Sequence, residues 1–152
     1  MLTPAWMYAD GRNRRLEFVE LPYELTNKNH GRGYSWHASA AERKRLDLLF
    51  RALGARSPYD VPVVLVLTRV LGRGQRLFDS DSLLRGNSKE IIDAMVAHGW
   101  FHDDSPKWIR LTLANQDVRN RATGPKTQIQ IWHCEDIDEI YENEQEQGAI
   151  FG

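Results

Sequence analysis

The chain has 152 residues, 41% of them hydrophobic, which is enough for one domain with a core of its own and ordinary for a soluble protein. A single cysteine, Cys134, excludes an internal disulfide, and no apolar run is long enough for a membrane span or a signal-peptide core, so a cytoplasmic protein without a membrane partner is expected. The net charge of −1 conceals a division: seven of the 21 acids lie in residues 135–146, all 20 lysines and arginines precede them, and residues 1–134 therefore carry 14 acids and a net +6. A basic body with a localised acidic cluster suits a polyanion-binding protein with a metal site, the alternative being an ordinary solvated surface of mixed charge.

Residues 1–13 lack periodicity and read as an added strand or arm. Residues 14–21 set Leu16, Phe18 and Leu21 against charged neighbours, the pattern of a half-buried strand, and Pro22 ends it. In residues 26–37, Lys28, His30, Arg32 and His37 are interleaved with Tyr34 and Trp36 around two glycines. Cations, stacking rings and a pliant backbone are what a phosphate chain and unpaired bases call for, although a surface loop anchored by its aromatics has the same composition. Ser39 and Glu42 form a capping box, and Leu46, Leu49, Phe50 and Leu53 follow at helical spacing up to Gly54. Arg43, Lys44 and Arg45 fall on the outer, solvated part of this helix.

After Pro58 and Pro62, the nearly continuous apolar and β-branched residues 63–71 predict a central strand buried on both faces. A bend with Arg73 and Arg76 leads through Leu77 and Phe78 to Asp79-Ser80-Asp81, read as the close of a β-type run with both carboxylates on one face. Asn87 or Ser88 fits an N-cap and Gly99 a C′ position, enclosing a short helix whose apolar stripe is Ile91, Ile92, Met95 and Val96. Lys89 and Asp93 lie on one side of it, along the edge of that stripe. Asp103 and Asp104 follow in a turn that must return to the same sheet. Four or five carboxylates and a lysine can thus meet in one small volume, where a divalent cation would offset their mutual repulsion.

Residues 108–113 alternate as a strand, and residues 115–126 read as a loop carrying Arg119, Arg121 and Lys126, a second candidate for contact with a nucleic-acid backbone. Residues 127–132 have the cleanest alternation in the chain. The reading gives a domain over residues 1–134 and an acidic tail over 135–152, mobile beyond one helical turn through Ile137, Ile140 and Tyr141. The order of elements predicts an α/β or α+β domain with one mixed sheet. A calcium loop beginning at Asp79 is excluded: Glu90 stands at the twelfth position, but Leu83 occupies a ligand position and Leu84 replaces the required glycine.

A D-x-D pair, a lysine opening a helix, an aspartate four residues on, and an aromatic-x-D-D turn together resemble the RusA-type Holliday junction resolvases, through Asp79, Asp81, Lys89, Asp93, Asp103 and Asp104. The resemblance implies a small mixed sheet packed by two main helices in an intertwined homodimer, and a Mg²⁺- or Mn²⁺-dependent endonuclease that resolves four-way junctions or related branched DNA. It implies Asp79, Asp81 and Asp104 as metal ligands, with Asp103 and Asp93 as further candidates, and Lys89 as the group that stabilises charge on the phosphate. Lys28, Arg32, Tyr34, Trp36, Arg73, Arg76, Arg85, Arg119, Arg121 and Lys126 are the matching DNA-contact candidates, and phage origin is common in such proteins. Ser82 stands where the family has an asparagine, and the loop to Lys89 is longer. These departures motivate one alternative, a branched-DNA-binding protein that does not cut; a further alternative is a metal-dependent nuclease directed at flaps or forks.

Overall fold

The computed structural model describes residues 12–26, 36–79 and 88–147. They form one small α+β domain with a mixed four-stranded sheet and three helices. β1 (Asn13–Leu21) is followed by α1 (Trp36–Ala52), β2 (Val63–Val70), α2 (Ser88–Ala97), β3 (Ile109–Asp117), a 3₁₀ turn (Arg121–Thr123), β4 (Lys126–Cys134) and α3 (Ile137–Gln147). The sheet order is β1-β4-β2-β3, with β4 antiparallel to both neighbours and β2 parallel to β3. Parallel strands need a crossover, and α2 lies in it.

All eight residues of β2 are buried, as the nearly continuous apolar run predicts, Thr68 and Arg69 included. On one side of the sheet Val63, Leu65 and Leu67 meet Leu46 and Phe50 of α1 and Ile91 and Met95 of α2. On the other, Val64, Val66, Leu111, Leu113, Trp132 and Cys134 are covered by Ile137, with Ile140 and Tyr141 packed alongside. The acidic stretch is therefore helical over eleven residues, where one turn was expected, and it is a third helix beyond the two main ones predicted. Its apolar residues are few but fall at helical spacing, and the sheet face beneath them supplies the partner.

α1 begins at Trp36, three residues upstream of the expected capping box, since nothing in residues 36–39 breaks a helix. β3 runs to Asp117, four residues further than the alternation indicated, because its polar end pairs in register with β2 through Val70 and Asp117. The expected β-type run at residues 77–79 is not a strand: the chain leaves the sheet after Val70 and turns at Gly72–Gln75, where Gly74 has φ +78°.

The end of α2 sets the path of the chain into the turn before β3. Gly99 adopts φ +83°, its N–H donates to the Val96 carbonyl at 3.1 Å, and the Trp100 N–H donates to the Met95 carbonyl at 2.9 Å, a Schellman arrangement. A Cβ at Gly99 would stand 2.7 Å from the Arg56 carbonyl oxygen, so glycine is required by space as well as by φ. This turn drives Trp100 and Phe101 into the core and leaves Asp103 and Asp104 at the surface. His98 Nε2 and Asp47 Oδ1 hydrogen-bond at 2.8 Å, tying α2 to α1.

Candidate functional site

Lys89 is on the first turn of α2 and extends to two carboxylates, 3.7 Å from Asp93 Oδ1 on the same helix and 3.8 Å from Asp104 Oδ2 in the turn after it. All three side chains are more than half exposed. Such loose pairs contribute about 0–1 kcal/mol to folding, so stability gives little reason for the three to meet. Beside them opens a pocket of about 210 Å³ lined by Ser88, Lys89, Ile92, Asp104, Ile109 and Thr112.

The two adjacent acids have different assignments. Asp103 Oδ1 accepts the Ser105 N–H at 2.8 Å, and Ser105 in turn carries the turn into β3 by accepting from the Trp108 and Ile109 N–H groups. The side-chain and backbone hydrogen bonds from Ser105 hold the Asp103 carboxyl below the usual aspartate range. Asp103 is thus a turn residue, whereas Asp104 faces Lys89.

Asp79 is exposed and lies on the segment that leaves β2. Its neighbour Phe78 is held by a side chain in place of a strand: the Phe78 N–H donates to Gln116 Oε1 at 3.0 Å and Gln116 Nε2 donates to the Phe78 carbonyl at 3.1 Å. Arg69, 3% exposed, donates to Gln116 Oε1 at 2.8 Å and to the Arg76 carbonyl at 2.9 Å, and its guanidinium lies 3.7 Å from the centre of the Phe78 ring. Burial pushes the Arg69 pKa below its ordinary value, against the opposing charge of Glu24. Gln116 and Thr112 share one face of β3, four residues or roughly 13 Å apart along the strand. Asp79 and the Lys89–Asp104 pair thus belong to the same side of the sheet. Asp81 lies outside the described residues, and among those described no three acids, histidines or cysteines come together as a metal-binding group. The donor set itself, carboxylates with no thiol or imidazole, has the hard-oxygen chemistry that suits Mg²⁺ or Mn²⁺.

Lys28, Arg32, Tyr34 and Arg85 also fall outside the described residues, and Trp36 is the first residue of α1. Arg73, Arg76 and Arg119 are exposed on the connections that leave the carboxyl ends of the parallel pair β2 and β3. Crevices outside such strand ends are where α/β sheets commonly take ligands. Arg121 and Lys126 are committed internally. Arg121 Nη1 donates to the carbonyls of Gly72 at 2.8 Å and Gln75 at 2.7 Å, stapling the exit of β2, and Lys126 Nζ pairs with Glu20 across β1 and β4 at 2.9 Å.

Sequence reasoning missed Gln116 and Arg69. A glutamine at the end of an alternating run looks like the start of a polar loop, and an arginine closing a buried strand looks like an edge residue. The only available signal was the placing of Arg69 inside an otherwise apolar run. Among the described residues no helix is long and apolar enough to cross a membrane. No protein-family profile matches the chain, and no curated protein matches it.

Proposed function

We propose that the protein is a divalent-metal-dependent endonuclease that resolves Holliday junctions or related branched DNA by paired phosphodiester cleavage. The observation that carries this reading is the convergence of Lys89 with Asp93 and Asp104 at the edge of an open pocket. These are three of the six residues on which the resemblance to RusA-type resolvases rests, and they belong to two separate segments. Support also comes from the exposed Arg73, Arg76 and Arg119 on neighbouring connections, which suit a polyanion.

Cleaving a phosphodiester requires neutralising the phosphate, positioning a water and stabilising the departing oxygen. A bound Mg²⁺ would supply Lewis-acid polarisation of the phosphate and a nucleophile at neutral pH, and on the resemblance Asp79, Asp81 and Asp104 would hold it. Lys89 donates to a non-bridging phosphate oxygen. Its present contacts, both near 4 Å, are weak enough for a phosphate to replace. Asp93, one helical turn on, keeps the ammonium aimed along the helix edge. Asp103 stays with Ser105 and sets the direction of the turn.

The test is incubation of a labelled synthetic four-way junction, a flap and a linear duplex with the protein, in Mg²⁺ or EDTA, beside Asp81→Asn and Asp104→Asn. Paired junction nicks that need both the metal and the two aspartates are expected. Asp81→Asn should bind the junction as well as or better than the parent, since it removes a negative charge near phosphate. Tight junction binding without a cut, at any metal concentration, would instead identify a non-cleaving binder, and preferential flap cutting a flap nuclease.

A further inference from the structure

Gln116 satisfies both backbone groups of Phe78 with one side-chain amide, the service a neighbouring strand would provide if the chain were still in the sheet. An amide can do this in only one orientation. Its oxygen must face the Phe78 N–H and its nitrogen the Phe78 carbonyl, and a half-turn about the last side-chain bond would set like against like. Arg69 fixes the choice, because a guanidinium donates only and it donates to Oε1. The two residues are register partners on β2 and β3, so the backbone pairing itself delivers them side by side. Arg69 also covers the Phe78 ring.

Burying a guanidinium is costly, and its Nε finds no partner among the described residues. A leucine would fill the space more cheaply but could not orient an amide. The residue immediately after the one so carefully held is Asp79. We propose that Gln116, oriented by Arg69, is a positioning residue that sets the place of the Asp79 carboxylate for a divalent cation. The proposal rests on the junction-nuclease reading, because it takes Asp79 as a metal ligand. Gln116 touches neither substrate nor metal, and it acts through the Phe78 backbone alone.

Two variants separate positioning from folding. Gln116→Glu keeps the length, still accepts from Arg69 and from the Phe78 N–H, and gains an ion pair, but it presents an oxygen to the Phe78 carbonyl. Gln116→Asn keeps the amide and is too short to reach both groups. Mn²⁺ binding to the intact protein is measured by electron paramagnetic resonance, thermal melting is followed in parallel, and junction cleavage is titrated with Mg²⁺. Both variants are expected to melt close to the parent, to bind Mn²⁺ roughly 10- to 100-fold more weakly, as loss of an outer-sphere support does, and to recover cleavage at raised Mg²⁺. Asp79→Asn serves as the reference and should not recover. If both variants bind Mn²⁺ and cleave like the parent, the positioning role is overturned while the nuclease reading stands. If the parent neither binds Mn²⁺ nor cuts a junction, both fall. If neither variant folds, Gln116 is a structural residue and the proposal fails.

Discussion

Lys89 and Asp117 are opposite kinds of charged residue in this molecule. The contacts of Lys89 are long and exposed, so Lys89→Ala is expected to change the unfolding free energy by no more than about 0.5 kcal/mol. Junction cleavage should fall roughly 100-fold or more. Urea denaturation beside the cleavage assay checks both. A large loss of stability would mean that the lysine is structural. Asp117, by contrast, is fully buried, and its carboxylate accepts from the Arg119 N–H at 2.8 Å and from the Asn120 side-chain amide at 2.7 Å. Burial alone would raise its pKa, but these hydrogen bonds outweigh it and leave the group below the ordinary value of about 3.9. A carboxyl depressed on folding contributes stability above its unfolded pKa and loses it as the pH falls through the folded one. The urea midpoint should therefore drop on acidification from about pH 6 to about pH 3, and Asp117→Asn should flatten that drop. At this scale the sequence was informative only in part. Two adjacent acids at 103 and 104 look alike in a string of letters, and only the backbone path through Ser105 decides which is taken by the turn.

Periodicity served well where an element buries a continuous stripe. β2 and α2 appear within a residue or two of their expected bounds, and Gly99 ends α2 in the position its type implied. Elements whose partner is supplied from far away in the chain were harder to read. The polar end of β3 is a strand because β2 lies beside it, and α3 is a helix on a sheet face that its own residues do not reveal. Ile137 is 6% exposed on that face. Ile137→Ala is expected to cost about 2 kcal/mol, at the low end for a buried isoleucine because the site is at the helix end. A loss within error in urea denaturation would show that α3 adds nothing to the fold. Charges at the start of α3 and just before it assist the docking: Arg110 pairs with Asp138, and Arg12 lies 2.7 Å from Asp136. The mixed sheet was legible from the order of elements alone, whereas the chain's departure from it after Val70 was not. Leu77 and Phe78 have strand-like side chains, but after the turn at Gly72 to Gln75 the Phe78 backbone is bonded by a side chain of β3 and not by a strand backbone.

For the whole molecule, the proposed reaction cuts two opposing strands and so needs two sites. A homodimer follows from that reading, and light scattering at micromolar concentration should give twice the 17.6 kDa chain mass. A monomer would argue against paired cutting. The sheet order has another consequence, which concerns how the protein is made. Among the described strands β1 pairs only with β4, and the pairing joins Asn13 to Cys134. β1 leaves the ribosome well before β4 and must therefore wait for it, on the order of ten seconds at roughly 5–20 residues per second. β2, fully apolar but for Thr68 and Arg69, has β3 as its sole partner until β4 emerges. During synthesis the nascent chain thus exposes an open strand edge on β2 that, among the described strands, β4 closes. Chains stopped before residue 126 would keep that edge unpaired, a ready template for association with other chains.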